Sequence, residues 1–308
     1  MKPILSIIIV SYNTADITIN CLKSILQDKG LVNIPYEIIV VDNDSKDDSI
    51  SSIKKFINHI GRAQRAPTFT LIENKTNSGF GKANNQGVKI AKGNYILYLN
   101  SDTIILHSSI SQSLDWLCSH PEASTCTAQL LNKDNTIQAS GGYFPNLLNV
   151  FAWSTGLDDL PLINKFIKPL HPHTPNFYTH DKFYLYDHHQ DWVTGAFMLT
   201  RKELLDKLGG FDENYFMYGE EVELSYRIKN ITKNNQVWYL VGPQIIHLGG
   251  ASATSRLNPI LNEYLGIISF FKKHKPTWQY QLVKIFMKIN ALLRSFIFPI
   301  YKEAYKKI

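Results

Sequence analysis

The sequence predicts an α/β fold built on a mixed, mainly parallel sheet with helices on both faces. Short apolar runs alternate with amphipathic stretches along the first third of the chain, and this alternation is typical of parallel strands joined by helices. Polar residues stand directly after several of these runs, at the strand ends where such sheets bind ligands. A hydrophobic content of 44% is ample for a sizeable core and excludes wholesale disorder.

The order of the elements supports this fold class. Residues 15–27 place Ile17, Cys21 and Ile25 on one face, as an amphipathic helix requires. Short apolar runs bounded by polar residues predict strands at residues 4–10, 37–41, 69–72, 95–99, 192–200 and 237–246. Further helices are predicted at residues 45–60, 82–91, 203–208 and 220–231.

Two domains are expected, an α/β domain over residues 1–271 and a basic helical extension over residues 272–308. After Pro121 the pattern becomes irregular, and residues 143–190 are rich in Pro, His, Tyr and Asn, which predicts a loop-rich insertion. The five histidines of this insertion are irregularly spaced, so a solvated loop is favoured over a metal site.

The net charge of +6 is concentrated near the C-terminal end. Residues 272–308 hold nine Lys or Arg and one Glu, a balance of +8 that leaves −2 for the rest and argues against a nucleic-acid-binding core. Basic and apolar side chains alternate here, which suits the surface of an anionic membrane. Lys288, Arg294 and Pro299 interrupt the apolar stretches, so this segment should lie on a membrane rather than cross it. A helix packed on the domain, or against a second copy in a homodimer, is the alternative.

The cysteines Cys21, Cys118 and Cys126 have neither metal-like spacing nor even pairing, which favours buried reduced thiols in a cytoplasmic protein. The Met-Lys-Pro start lacks a signal-peptide pattern. We therefore expect a cytoplasmic chain, peripheral at the inner face of the cell membrane.

Polar residues at three strand ends could bind a nucleotide. Asn100 and Asp102 follow the fourth strand and share one side of the extended chain, where their oxygens suit a hard divalent cation. Asp42 ends the second strand and could accept the N3–H of uracil or thymine, although a cap of the next helix is the alternative. His247 ends the strand at 237–246, where it could bind a metal or a diphosphate.

Two further segments carry candidate groups. Residues 77–87 combine glycines, amides and a lysine at a loop-to-helix junction that favours anions, without the spacing of an ATP- or NAD-binding loop. Glu220 and Glu221 follow an aromatic-glycine turn and could supply a general base for a sugar hydroxyl. Glu223 and Arg227, four residues apart, are expected to form a pair on the helix surface.

Together these segments resemble family 2 glycosyltransferases of the GT-A fold, above all bacterial rhamnosyltransferases. The matching segments run in order over roughly residues 4–255 and comprise residues 11–13, 41–45, 77–87, 99–102, 192–197 and 211–227, with His247, Gly250 and Ser252. The resemblance implies an inverting transfer of a sugar to a saccharide or lipid-linked saccharide acceptor, in cell-surface polysaccharide synthesis. L-Rhamnose from dTDP-L-rhamnose is the preferred donor, and a UDP-sugar carrying hexose, N-acetylglucosamine or galactofuranose is the alternative.

The resemblance also implies roles for individual residues. Glu221 would be the catalytic base where the family commonly has Asp, with Glu220 as the alternative, and Asp102 and His247 would hold Mg²⁺ or Mn²⁺ at the diphosphate. Residues 143–190 would belong to the acceptor region. The donor would contact Ser11, Asn13, Asp42, Asn77, Gly79, Gly81, Lys82, Asn84, Asn100, Asp102 and Trp192.

Two other classes of function remain open from the residues alone. A nucleotidyltransferase would need a glycine-rich phosphate loop after the first strand, and residues 11–14 supply none. A non-catalytic sugar-binding protein would not need Asp102 and Glu221 together.

Overall fold

The computed structural model describes residues 3–60, 67–160, 166–175, 182–231, 236–250 and 257–308. Within these ranges ten strands form one mixed sheet, with the order β3-β2-β1-β4-β9-β6-β10-β5 and with β7 and β8 paired to β6 and β10. The strands are β1 (Leu5–Ser11), β2 (Tyr36–Asp42), β3 (Thr68–Glu73), β4 (Tyr95–Asn100), β5 (Thr103–Ile105), β6 (Ala123–Leu131), β7 (Ile137–Gln138), β8 (His188–Gln190), β9 (Phe197–Arg201) and β10 (Gln236–His247).

Helices cover both faces of the sheet, as predicted. The helices of the described residues are α1 (Ala15–Leu26), α2 (Ser49–Ile60), α3 (Phe80–Ile90), α4 (Ser109–Ser119), α5 (Leu147–Thr155), α6 (Lys202–Leu208), α7 (Glu220–Ile231), α8 (Leu257–His274), α9 (Thr277–Ser295) and α10 (Ile300–Lys307). Alternate residues of β1 point to opposite faces. Ile7 and Ile9 pack with α1, α2 and α4, whereas Ile8 packs with α3, α6 and α7.

The register of the parallel strands brings the predicted polar positions together. β1 pairs with β2 so that Ser11 lies opposite Asp42, and β1 pairs with β4 so that Val10 lies opposite Asn100. The carboxyl ends of these three strands therefore form one edge of the sheet. His247 reaches the same edge from β10, because β5 pairs antiparallel with β10 and places Thr103 opposite it.

Most predicted elements are found, and the differences have physical reasons. The strand β6 was not predicted, because its buried sequence contains Ser, Thr and Gln, which hydrogen-bond inside the sheet instead of forming an apolar run. The strand predicted at 192–200 begins only at Phe197. Gly195 turns against the ring of Phe80, where a side chain would not fit. The insertion at 143–190 contains α5, which the irregular composition did not reveal.

The C-terminal helices pack on the rest of the chain. Position 272 falls inside α8, and residues of α8, α9, α10 and α5 share a third hydrophobic cluster. Val283, Met287 and Ala291 of α9 are fully buried in it. The opposite face of α9 stays exposed. No helix in the described ranges has the length and apolarity needed to cross a membrane. Cys21 and Cys126 are buried free thiols as expected, but Cys118 is exposed.

A buried ionic cluster ties α7 to α8. Glu223 is fully buried and accepts two hydrogen bonds from the Arg227 guanidinium, at 2.9 and 2.8 Å from Nε. Lys273 and His274 of α8 approach the same carboxylate at 2.7 and 3.0 Å. The prediction of a surface pair was therefore wrong, because α8 covers this face of α7. Burial alone would raise the pKa of Glu223, but the hydrogen bonds from Arg227 and Lys273 outweigh it and lower the pKa.

We expect Glu223→Ala to lower the free energy of unfolding by about 3–5 kcal/mol, because it leaves the Arg227 guanidinium, which is only 17% exposed, without its carboxylate. Glu213→Ala is the matched control, since its ion pair with Lys82 is half exposed and should contribute less than about 1 kcal/mol. Urea unfolding of both variants measures the difference. Equal losses in the two variants would show that the cluster does not stabilise the contact between α7 and α8.

Candidate active site

A polar cleft of about 570 Å³ opens at the carboxyl edge of the sheet. The edge of the sheet forms one wall, and the segment 216–221 with the start of α8 forms the other. Six of the predicted site residues line it, namely Asn77, Asn100, Asp102, Glu220, Glu221 and His247. Ser11, Asn13, Asp42, Gly79, Gly81, Lys82, Asn84 and Trp192 do not line it, and Ser252 lies outside the described residues.

Asp42 and Asn43 hold the loops that form the floor of the cleft. One carboxylate oxygen of Asp42 accepts the Ser45 N–H at 2.9 Å, and the other is buried without a hydrogen-bond partner. The side chain of Asn43 donates to Asn77 Oδ1 at 2.8 Å and accepts the Ser78 N–H at 3.1 Å. Asn43 was not predicted as a site residue, although its position directly after Asp42 at the strand end could have indicated it.

Ser11 and Asn13 hold the first loop in shape. The Ser11 hydroxyl is fully buried and lies 3.1 Å from the Thr18 hydroxyl. Asn13 has a positive φ of 53°, and its side-chain oxygen accepts the Lys46 N–H at 2.7 Å. In this structure the Ser11 side chain contacts α1, and the Asn13 side chain contacts the loop after β2.

The glycine-rich segment contributes Asn77 and Phe80 to the cleft lining and not its lysine. Gly79 has φ of 86°, and an added side chain would collide with the carbonyl oxygen of Phe216. Lys82 points to Glu213, at 3.5 Å, with both side chains half exposed. Asn84 is buried and donates to the Phe80 carbonyl at 3.0 Å. The close approach at Gly79 joins this loop to the opposite wall of the cleft.

Asp102 and His247 face each other across the cleft floor. His247 Nε2 lies 3.3 Å from Asp102 Oδ1 and 3.3 Å from the side-chain nitrogen of Asn100. His247 Nδ1 lies 2.6 Å from Gln138 Oε1. Because a carbonyl oxygen only accepts hydrogen bonds, Nδ1 carries the hydrogen and a neutral ring keeps its Nε2 lone pair toward Asp102.

This arrangement fits a divalent cation. A carboxylate oxygen and an imidazole lone pair converge, and the other ring nitrogen is fixed by an outer hydrogen bond, as is typical of metal-ligating histidines. The described residues contain no group of three or more His, Cys, Asp or Glu side chains able to hold a metal ion. The two side chains would therefore need further oxygen ligands from a bound anion or water.

Glu220 and Glu221 begin α7 at the opposite wall. Glu220 is 3% exposed and Glu221 is partly buried, and each has one carboxylate oxygen without a hydrogen-bond partner. Burial, and then the neighbouring Glu221 carboxylate, raises the pKa of Glu220 well above its ordinary value. Burial also raises the pKa of Glu221, and backbone hydrogen bonds partly oppose this. Raised pKa values make either group a stronger proton acceptor once ionised.

A second, mostly apolar cavity of about 390 Å³, here called the apolar cavity, adjoins the cleft. Glu221 lines both spaces, whereas Glu220 lines only the cleft. Trp192, which we predicted at the donor, lines the apolar cavity, and its indole N–H donates to the Tyr143 carbonyl at 3.1 Å. Glu221 is therefore the carboxylate that both spaces share.

The start of α8 contributes cleft residues that the sequence did not predict. Asn258 and Asn262 line the cleft, and Gly266 lets α8 approach the Tyr218–Gly219 turn so closely that a side chain would strike the Tyr218 carbonyl. These contacts join segments far apart in the sequence, so no local pattern could have revealed them.

Glu220→Gln is expected to raise the midpoint of thermal unfolding at pH 8, with a difference that shrinks toward pH 4. The pKa of Glu220 is higher in the folded chain than in the unfolded chain. Between these two pKa values the folded chain keeps a proton on Glu220, whereas the unfolded chain has released it. The free energy of unfolding therefore falls as the pH rises between the two pKa values, by about 1.4 kcal/mol for each pH unit. Glutamine does not ionise, so the variant does not lose this stability. The exposed Glu203→Gln serves as the control. A pH-independent difference would contradict the burial of an ionisable group.

Comparisons with known proteins identify the family of the chain. Residues 6–209 match the family described as Glycosyl transferase family 2. Rhamnosyltransferase WbbL of Escherichia coli K12 is 28% identical over 230 residues, covering 72% of this chain and 75% of that protein. N-acetylglucosaminyl-diphospho-decaprenol L-rhamnosyltransferase of Mycobacterium tuberculosis is 24% identical over 207 residues, covering 63% of this chain and 61% of that protein. Poly(ribitol-phosphate) beta-glucosyltransferase of Bacillus spizizenii is 35% identical over 102 residues, covering 33% of this chain and 15% of that protein.

Solved structures show the same fold. Mannosyltransferase PcManGT from Pyrobaculum calidifontis, in complex with GDP-Man and Mn²⁺, has a TM-score of 0.54 at 14% identity, covering 99% of this chain and 74% of that one. S. aureus TarS 1–349 in complex with UDP-GlcNAc has a TM-score of 0.52 at 17% identity, covering 97% of this chain and 73% of that one. The chain has the GT-A fold and belongs to glycosyltransferase family 2.

Proposed function

We propose that this chain is an inverting glycosyltransferase with Glu221 as its catalytic base. The observation that carries the proposal is the position of Glu221, on the wall between a polar cleft and the apolar cavity. A donor in the cleft and an acceptor in the apolar cavity would meet at this carboxylate. Glu221 would take the proton of the acceptor hydroxyl while that oxygen attacks the anomeric carbon from the side opposite the leaving nucleotide.

The donor diphosphate would lie at the carboxyl edge of the sheet. Asp102 and His247 would hold Mg²⁺ or Mn²⁺ there, and the cation, when bound, supplies positive charge that neutralises the leaving diphosphate. Gln138 bonds the other ring nitrogen and so orients the imidazole, and the Asn100 amide would give up its contact with Nε2 to the cation. Two structural relatives were solved with Mn²⁺.

Asp42 does not line the cleft, but it directly precedes the lining residue Asn43 and supports a pyrimidine nucleotide there. Its buried, unpaired carboxylate oxygen needs a donor, and the N3–H of thymine or uracil would supply one. Because two of the curated relatives are rhamnosyltransferases, we propose dTDP-L-rhamnose as the donor and a UDP-sugar as the second candidate. The acceptor would be a saccharide or a lipid-linked saccharide, since one relative's name includes a decaprenol diphosphate.

The exposed face of α9 supports a peripheral position at the inner face of the cell membrane. Phe296, Ile297 and Phe298, in the turn before α10, are 81%, 73% and 55% exposed. Exposed apolar residues continue along one side of α9 at helical spacing, namely Trp278, Leu282, Ile285, Ile289 and Leu293. An anionic lipid surface matches the basic residues of this region, whereas a symmetric homodimer through the same face would bring like charges together.

Glu221→Gln should lower kcat by at least about a hundredfold while donor affinity is retained, because glutamine keeps the shape but cannot accept the proton. Glu220→Gln, the adjacent isosteric change, should cause the smaller loss. Release of nucleotide and transfer of sugar are measured with a panel of dTDP- and UDP-sugars. A larger loss in Glu220→Gln than in Glu221→Gln would assign the base to Glu220.

Chelation with EDTA and the variant Asp102→Ala should each weaken dTDP binding by more than about tenfold, because both remove the cation that holds the diphosphate. Calorimetric titrations with dTDP, UDP and GDP, with Mn²⁺ or with EDTA, provide the measurement. Asp115→Ala, an exposed acidic residue on α4, is the control. Metal-independent binding, or tight binding of GDP alone, would contradict the assigned roles of Asp102 and Asp42.

The double variant Phe296→Ser and Phe298→Ser should bind phosphatidylserine vesicles at least about tenfold more weakly than the native chain, because it removes the most exposed aromatic anchors. Native binding should weaken as salt rises and should be weak on neutral vesicles. Val32→Ser, an exposed apolar residue outside the C-terminal helices, is the control. Point variants are preferable to truncation before Lys272, because truncation would divide α8 and remove the residues of α9 and α10 from the third hydrophobic cluster. Native binding that ignores anionic vesicles would contradict membrane contact.

A further inference from the structure

The apolar cavity has a charge pattern that restricts its ligand. Three described lining residues carry or can carry a full charge near neutral pH, namely His171, Glu221 and Glu263, and no Lys or Arg is among the described lining residues. The imidazole of His171 is engaged by Glu263, at 3.2 Å from Nε2. The cavity therefore offers two carboxylates and no free cation among these residues, so a phosphate group in it would be repelled.

The remaining walls are suited to the carbon faces of a sugar. Val222, Ile260, Ile267 and Phe270 line the cavity with apolar surface. Trp192 also lines the cavity. Its indole N–H is already bonded to a backbone carbonyl, so the ring offers the cavity an aromatic surface and no free donor. Such a ring packs against the C–H groups of a pyranose, while a few polar groups at the edges fix its hydroxyls.

We infer that the apolar cavity is the acceptor site and that it takes an uncharged saccharide rather than a polyol phosphate. This inference rests on the proposed function. A volume of about 390 Å³ holds a sugar unit whose reacting hydroxyl points to Glu221 on the shared wall. The names of two relatives contain different acceptor chemistries, a sugar linked to a lipid diphosphate and a poly(ribitol phosphate) chain, and the cavity of this chain suits the sugar. Any phosphate of the acceptor would then lie outside the cavity.

A filled cavity tests the location. Ile260→Trp adds a bulky ring inside the cavity from α8, and Leu265→Trp adds the same ring on the same helix at a residue that is 45% exposed and outside the lining. Ile260→Trp should raise the acceptor KM roughly tenfold or more, with a smaller effect on the donor KM. Leu265→Trp should leave both quantities unchanged. An unchanged acceptor KM in Ile260→Trp would overturn the location.

An acceptor panel tests the chemical class. Native protein is given the preferred nucleotide sugar with uncharged octyl glycosides of glucose, galactose, mannose, rhamnose and N-acetylglucosamine, or with poly(ribitol phosphate). Transfer to at least one octyl glycoside in preference to poly(ribitol phosphate) is expected. Transfer to poly(ribitol phosphate) alone, or to none of the glycosides while donor hydrolysis continues, would overturn the inference. A native protein that hydrolyses and transfers no nucleotide sugar would instead contradict the proposed function.

Discussion

The contact between α7 and α8 is the constraint on which the site depends. Glu220 and Glu221 stand at the first turn of α7, and α8 supplies walls to both neighbouring spaces. The buried Glu223 carboxylate, shared by Arg227, Lys273 and His274, fixes the two helices to each other. A buried charge of this kind is costly unless it is fully paired, so the arrangement tolerates little displacement of α8. The C-terminal helices therefore help to form the site.

A second constraint is the satisfaction of buried polar groups at the edge of the sheet. Asn43 gives and accepts several hydrogen bonds that hold the loops after β2 and β3. Among the described residues, the buried carboxylate oxygens without a hydrogen-bond partner belong to Asp42, Glu220 and Glu221. A buried acceptor without a hydrogen bond is costly, and it is most readily explained where a bound ligand supplies the missing donor. Those of Glu220 and Glu221 belong to residues that line the cleft, and Asp42 directly precedes the lining residue Asn43. This supports a site at which a ligand donates hydrogen bonds to carboxylates and one carboxylate accepts a proton.

The sequence predicted the parallel half of the sheet well, because apolar runs and helical periodicity are local signals. It also placed Asp102 and His247 at strand ends, and the sheet register then brought them within 3.3 Å. It could not predict that Lys82 turns away to Glu213 or that Trp192 belongs to the apolar cavity, because side-chain direction depends on tertiary packing. The polar strand β6 and the buried state of Glu223 were missed for the same reason, since their partners are distant in sequence.

The anomeric configuration of the transferred sugar tests the central claim most directly. A single displacement, in which Glu221 acts only as a base, turns an α-linked donor into a β-linked product or the reverse. Nuclear magnetic resonance of the first product formed, by the one-bond carbon–hydrogen coupling at the anomeric centre, reports this configuration. Inversion relative to the donor is expected. Retention would contradict it, because retention requires a route other than direct attack by an acceptor oxygen deprotonated at Glu221.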